Sequence, residues 1–283
     1  MSAEVIAWID PDAVSVTLDC EWGATGRFGP RSIHDIESVP LQAGGRRRSV
    51  RHDVREFALP LWVSAASDSA LRTAVRTLIF RLDPARGDGT LRVTAPGGDQ
   101  REITCRVVSG LEVDEDFGDV TGQEWQRLTP VFSAVDPYWS DTSDTSASVT
   151  TGDAVTFFPF FPLVLSSSEV FGGVTINNTG DVETWPVITI TGPGTDPIVR
   201  NSTTGEMLGL DYTLGAGEVL TIDTRPGRKT VTLDDGTNLF PYLTAGSSLW
   251  PLERGSNAVQ IEMSGSTGDS AVAISWRRRW LSV

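Results

Sequence analysis

Residues 172–224 read GGVTINNTGDVETWPVITITGPGTDPIVRNSTTGEMLGLDYTLGAGEVLTIDT. Val174 and Ile176 alternate with polar neighbours until Asn177-Asn178-Thr179-Gly180-Asp181 breaks the run. Residues 185–191 alternate again and are stopped by Gly192-Pro193-Gly194 and Asp196-Pro197; residues 219–224 are a third case. Period-two alternation bounded by Gly, Pro, Asn and Asp marks half-buried antiparallel strands. No part of the stretch has the i, i+3, i+4 spacing of a helix. It therefore predicts a β-sandwich.

Working outward, the first half opens with strands predicted over 4–9 and 13–20, joined at Asp10-Pro11-Asp12, with Val14, Val16 and Leu18 on one face. A Gly- and Pro-containing loop is expected over 23–45. Arg46-Arg47-Arg48 then leads into a strand pair, around Val50 and over 56–63. One helix is predicted over 68–82, with Ser67 or Asp68 as N-cap. Leu71, Val75, Leu78, Ile79 and Leu82 form a single apolar stripe on it. Asp83-Pro84 ends the helix, because the residue before proline is steered out of the α region. Strands resume over 90–94, 101–108 and 124–135, with turns at Asp88-Gly89 and Pro96-Gly97-Gly98.

Residues 140–151 are rich in Ser, Thr and Asp and lack apolar periodicity. The expected organisation is a first domain over 1–139, a linker over 140–152 and a second domain over 153–283. Phe157-Phe158-Pro159-Phe160-Phe161-Pro162 reads as a core or interdomain plug, because its prolines forbid a central strand. The last strands are expected over 258–263 and 271–280. Arg277-Arg278-Arg279 between two tryptophans reads as a source of inter-strand or inter-subunit ion pairs.

The 283 residues suffice for two domains with separate cores. A formal charge of -14 opposes nucleic-acid wrapping, which depends on Lys and Arg neutralising phosphate. Cys20 and Cys105 make neither a disulfide framework nor a zinc site, and both fall in strand-like runs. No signal peptide is expected, and no apolar run approaches the ~20 residues of a membrane helix.

Catalytic signatures are missing. His34 and His52 are the two histidines, and there is no G-x-S-x-G, H-E-x-x-H, C-x-x-C, Walker or G-x-G-x-x-G motif. Glycoside hydrolysis needs only two carboxylates, about 5 or 9 Å apart in a cleft, so a wall-degrading glycosidase is a third reading. The run from Glu112 to Asp119 lacks calcium-loop spacing and reads as a solvated hairpin tip.

The order and spacing of several short motifs resemble a known family. Asp136-Pro137-Tyr138-Trp139 closes the first half, then come Asn177-Asn178-Thr179-Gly180-Asp181 and Trp185-Pro186-Val187-Ile188-Thr189-Ile190. Gly192-Pro193, Asp196-Pro197, Asn201, Thr204-Gly205-Glu206 and Ile222-Asp223-Thr224 follow. Ser248-Leu249-Trp250-Pro251-Leu252 and Gly255-Ser256-Asn257 complete the set. Together these resemble the distal tail (Dit) proteins of long-tailed siphovirus bacteriophages, especially minor tail proteins of actinobacterial phages. The resemblance covers residues 136–283, while the first half fits in layout only.

The resemblance implies a mainly β protein, with an N-terminal ring-forming β-domain bearing one helix and a C-terminal galectin-like antiparallel β-sandwich. It implies a structural virion protein: a hexameric ring joining the tail tube to the tail tip or baseplate, with DNA passing through its lumen. The implied partners are the tube protein, the tape measure and tail-associated or baseplate proteins. DNA is met only in transit, and no membrane insertion, cofactor or catalysis is implied. Assembly would occur in the host cytoplasm. Under this reading Glu112, Asp114, Glu115, Asp116 and Asp119 are candidate lumen residues that repel DNA phosphate. Arg72, Arg76 and Arg81 are candidate partners for acids of an adjacent subunit. The alternative is a carbohydrate-binding β-sandwich touching the host surface, which requires an exposed aromatic–polar patch on the second domain.

Overall fold

A computed structural model describes residues 4–38, 40–41, 43–112, 123–150 and 172–283. Asp114, Glu115, Asp116 and Asp119, and the phenylalanine–proline run 157–162, lie outside the described residues. The chain divides into two units, Met1–Thr142 with Trp280–Val283, and Ser143–Arg279. The protein is mainly β, with one α-helix among the described residues.

In the first unit, antiparallel strands run in the order Ser15–Leu18, Val5–Ile9, Gly89–Thr94, Gln100–Ser109, Val131–Ala134, Arg55–Ala58. The long strand Gln100–Ser109 also pairs with Trp139–Asp141, through Ser140 opposite Glu102. Alternation works as expected: Ile6 and Trp8, Leu91 and Val93, and Ile103, Cys105 and Val107 all point into one core. Phe132 is its hub, stacked on Phe57 at 5.3 Å and meeting Trp8 at 5.5 Å. The helix Asp68–Leu82 starts where the Ser67 hydroxyl accepts from the Ala70 amide, and it buries Leu71, Leu78 and Leu82.

The second unit is a β-sandwich. One sheet orders Thr145–Thr150, Ala271–Trp276, Val187–Thr191, Val219–Asp223 and Thr230–Leu233. The other orders Gly172–Asn178, Gly255–Ser264, Gly194–Asn201 and Glu206–Gly209, with Thr213–Leu214 beside Gly194–Asn201. Ile188, Ile190, Leu220, Ile222, Val272 and Ile274 of the first sheet share a core with Val199, Val259, Ile261 and Met263 of the second.

Several sequence expectations need correction. The loop expected over 23–45 contains a strand, Ser32–Ser38, paired with Gly45–His52. Most of its residues are exposed, so it has no buried face to imprint an alternation. Residues read as a linker form the strands Trp139–Asp141 and Thr145–Thr150, the latter paired along its length with Ala271–Trp276. Only Ala147 and Val149 of that strand meet the core, too few to reveal it. Asp196-Pro197 does not stop a strand. It sits in the register shift between Thr195 and Ile198 within Gly194–Asn201. Leu59-Pro60 and Thr129-Pro130 each divide a run that was read as one strand.

The asparagines of the recurrent motifs are structural. Asn257 is fully buried, and its Oδ1 accepts from the Glu253 amide at 3.0 Å and from Asn201 Nδ2 at 3.2 Å. Its Nδ2 donates to the Glu253 and Gly255 carbonyls. Asn178 similarly bridges the Val182 and Leu252 carbonyls and accepts from the Gly180 amide. Such side chains replace water for loop backbone that cannot reach a neighbouring strand. Asn257→Ala should destabilise the second unit by about 1–3 kcal/mol in denaturant unfolding, whereas Ala at exposed Asn177 should change it little; equal effects would refute the assignment.

Candidate assembly surface

The first unit is unlike the second in what it leaves exposed. Among the described residues, every exposed large apolar side chain except Phe240 and Tyr242 belongs to it. Trp22 and Leu41 are fully exposed, and Phe28 and Val135 are 72% and 85% exposed.

The most exposed element is the two-stranded ribbon Ser32–Ser38 and Gly45–His52, here termed the arm, which pairs with no other strand. Its root is fixed. The Asp53 amide donates to the Arg31 carbonyl at 2.8 Å, and His52 Nδ1 lies 2.7 Å from the Tyr138 hydroxyl. Just beyond the root, Arg55 is 1% exposed and donates to the carbonyls of Arg27 and Leu281. Towards the tip, Arg48 grips Glu37 through two nitrogens, at 2.8 and 2.7 Å.

A second surface cluster lies on the paired strands Leu61–Ser64 and Trp125–Leu128. Trp62 and Trp125 stack at 4.6 Å, with the Arg127 guanidinium over both rings. Arg127 also pairs with Glu21, beside Trp22. Trp and Arg in such clusters are enriched at energetically important points of protein interfaces.

Chemistry is sparse. Burial pushes the Cys20 thiol up to about 11 and raises Cys105 further, so both stay protonated at neutral pH. Among the described residues no group of three His, Cys, Asp or Glu is placed to hold a metal ion. Among the described residues no helix is long and apolar enough to cross a membrane.

Comparison with known proteins gives this surface a context. The family model of the siphovirus-type tail component, C-terminal domain, matches residues 179–280. No curated protein matches the chain. Among solved structures, the Dit protein of phage SPP1, described as a paradigm of the hub adsorption apparatus in phages infecting Gram-positive hosts, is 16% identical. The match covers 99% of this chain and all of that one, with a TM-score of 0.72. A chain of the phage P2 baseplate in its activated conformation with Ca is 13% identical over the whole of both chains, with a TM-score of 0.55. Residues 179–280 thus match a siphovirus tail-component family, and both units match the Dit fold. At these identities the structural likeness is one of fold, and it extends over both units.

The three helix arginines have different surroundings. Arg81 is spent inside its own unit, 2.5 Å from the fully buried carboxylate of Asp10. Arg72 pairs with Asp68 one turn earlier, at an exposed site. Arg76 is exposed, with no ion pair among the described residues. Glu112 is the one described member of the acidic run; its carboxylate accepts from the Gly110 amide. Sequence reasoning placed a strand around Val50 but paired it with 56–63, and so missed its partner Ser32–Ser38 and the arm they form.

Burial by itself would raise the Asp10 pKa, but hydrogen bonds from Arg81, the Val14 amide and Arg86 outweigh it and hold the carboxyl down to about 2. A depressed carboxylate stabilises the native state above its unfolded pKa and loses that contribution as pH falls through the folded value. Asp10→Asn should therefore lower the unfolding midpoint at pH 7, with the gap to the parent chain closing as pH falls from 3.8 to about 2. A gap independent of pH would refute this origin.

Proposed function

We propose that the chain is a structural ring protein of the phage tail tip, joining the tail tube to the tail-tip or baseplate proteins, with DNA passing through its lumen and no catalytic step of its own. The observation that carries this reading is the concentration of exposed apolar side chains on the first unit. Large apolar side chains left outside in this number, Trp22, Phe28, Leu41 and Val135 among them, support an interaction role for this unit. The family-model match over residues 179–280 and the likeness to the Dit fold support a setting in the siphovirus tail. The second unit, with a closed core and internally bonded loops, is suited to displaying surface rather than making a ring.

Ring formation predicts a particle of about six times the 30.5 kDa chain mass. Light scattering and electron microscopy of the purified chain should show a six-fold ring, and antibody against the chain should label the distal end of the tail on phage particles. Labelling confined to the capsid or spread along the tube would overturn the reading.

A second reading, carbohydrate binding at the host surface, is favoured by one cluster on the second unit. Tyr212 and Tyr242 meet edge to face at 5.7 Å, beside half-exposed Phe240. Aromatic faces with nearby carboxylates are a usual sugar platform, and Asp235 and Glu218 lie close enough to help raise the Tyr212 pKa, behind the larger effect of desolvation. Isothermal titration with host wall glycans should then give binding that Tyr242→Ala abolishes; absence of binding by the parent chain removes this reading.

A further inference from the structure

The arm is amphipathic as well as detached. Register places Val50 opposite His34 and Arg47 opposite Ile36, so Ile36, Val50 and Arg47 share one face. Ile36 and Val50 are 59% and 50% exposed. The other face carries Arg46, opposite Glu37, and Arg51, opposite Ile33. Glu37 engages Arg48, at the register shift, instead of its opposite neighbour Arg46. Arg46, Arg47 and Arg51 pair with no carboxylate among the described residues.

Two physical facts make this arrangement demand a partner. A two-stranded ribbon is marginal in water on its own, and here both of its faces are left exposed. Residues 45–52 hold four arginines and no acid, on a chain whose net charge is -14. Another copy of this chain is therefore electrostatically complementary to the arm, although whole copies repel one another.

We propose that the arm docks on the carboxylate-bearing surface of a second copy, with Ile36 and Val50 covered by that surface and Arg46, Arg47 and Arg51 paired to its acids. Arginine suits this task, because its guanidinium is weakly hydrated and binds carboxylates through two parallel bonds. All but one of the 23 basic residues are arginine, the exception being Lys229. A protruding arm that meets a different patch on its neighbour makes a head-to-tail contact, the kind that closes into rings. The proposal rests on the ring reading above.

The test compares the parent chain with two variants, Arg46→Glu/Arg47→Glu/Arg51→Glu and Ile36→Asp, by analytical ultracentrifugation at low and high salt. Both variants leave the core untouched, so melting temperatures should match the parent. The expected result is self-association of the parent that weakens as salt approaches about 1 M, where screening shortens to about 3 Å. Each variant should associate at least about tenfold more weakly. A parent ring with equally stable variant rings overturns the arm proposal and leaves the ring reading standing. A parent monomeric at every attainable concentration overturns self-docking, as does an arm variant that keeps its rings but loses binding to tube protein.

Discussion

Burial of the Arg55 guanidinium is the constraint on which the first unit depends. The side chain is 1% exposed and forms no ion pair among the described residues; its donors go to the Arg27 and Leu281 carbonyls. Desolvation pulls its pKa down to about 10, against the opposing field of Asp136. A charge so placed is tolerable only while those carbonyls stay where they are. Arg27 precedes the arm, Arg55 follows it, and Leu281 belongs to the closing segment of the chain. One cation therefore ties Leu281 to the segments of Arg27 and Arg55, which the bridge between Thr25 and Ala58 already holds together. Arg101 repeats the device, donating to the Ser282 carbonyl at 2.6 Å and lying over the Trp280 ring. Trp280 in turn donates from its indole nitrogen to Asp141 at 2.8 Å. The return of Trp280–Val283 to the first unit is thus fixed by polar bonds, with Trp280 and Val283 also packed on its core.

The two units solve the problem of unsatisfied backbone differently. In the second, buried asparagines turn inward and complete the loops, as Asn178, Asn201 and Asn257 do. Among the described residues of that unit, Phe240 and Tyr242 are the exposed large apolar side chains. In the first, arginines span long sequence distances, and apolar groups such as Trp22, Phe28 and Val135 remain outside. A unit that completes its burial with a neighbour has this composition of surface; a unit that stands in solvent does not.

What could be read from the sequence follows the same division. Many strands with one buried face announced themselves, as with Ile188 and Ile190 or Ile103, Cys105 and Val107, because burial imposes a period of two, although Thr230–Leu233, with Val231 and Leu233 inward, was not read. The helix was legible from its stripe, its serine cap and its closing Asp83-Pro84. Elements without a buried face were silent. Ile33 and Ile36 on the arm fall on opposite faces, which erased the alternation and made a strand resemble a loop. Thr145–Thr150 was silent for the converse reason, a polar edge strand whose inward positions hold only Ala147 and Val149. The surface that matters for assembly was therefore hidden from pattern reading, since an interface buries its apolar side chains only after the chain has folded. Arg81 shows the reverse error. Its position off the apolar stripe pointed outward, yet its length lets it reach Asp10 across the core boundary.

An acidic chain that assembles with itself faces a conflict, because net charge keeps copies apart while the contact must hold them together. The resolution available here is local. Acidic residues are spread along both units, whereas the unpaired arginines of the arm are gathered on a ribbon whose root is fixed by Asp53, His52 and Arg55. At physiological salt, screening cuts off repulsion between distant charges beyond about 8 Å, while contacts within the docked surface retain most of their strength. Concentrating the positive charge on a protruding, rigidly rooted element therefore lets short-range attraction win without changing the sign of the whole molecule.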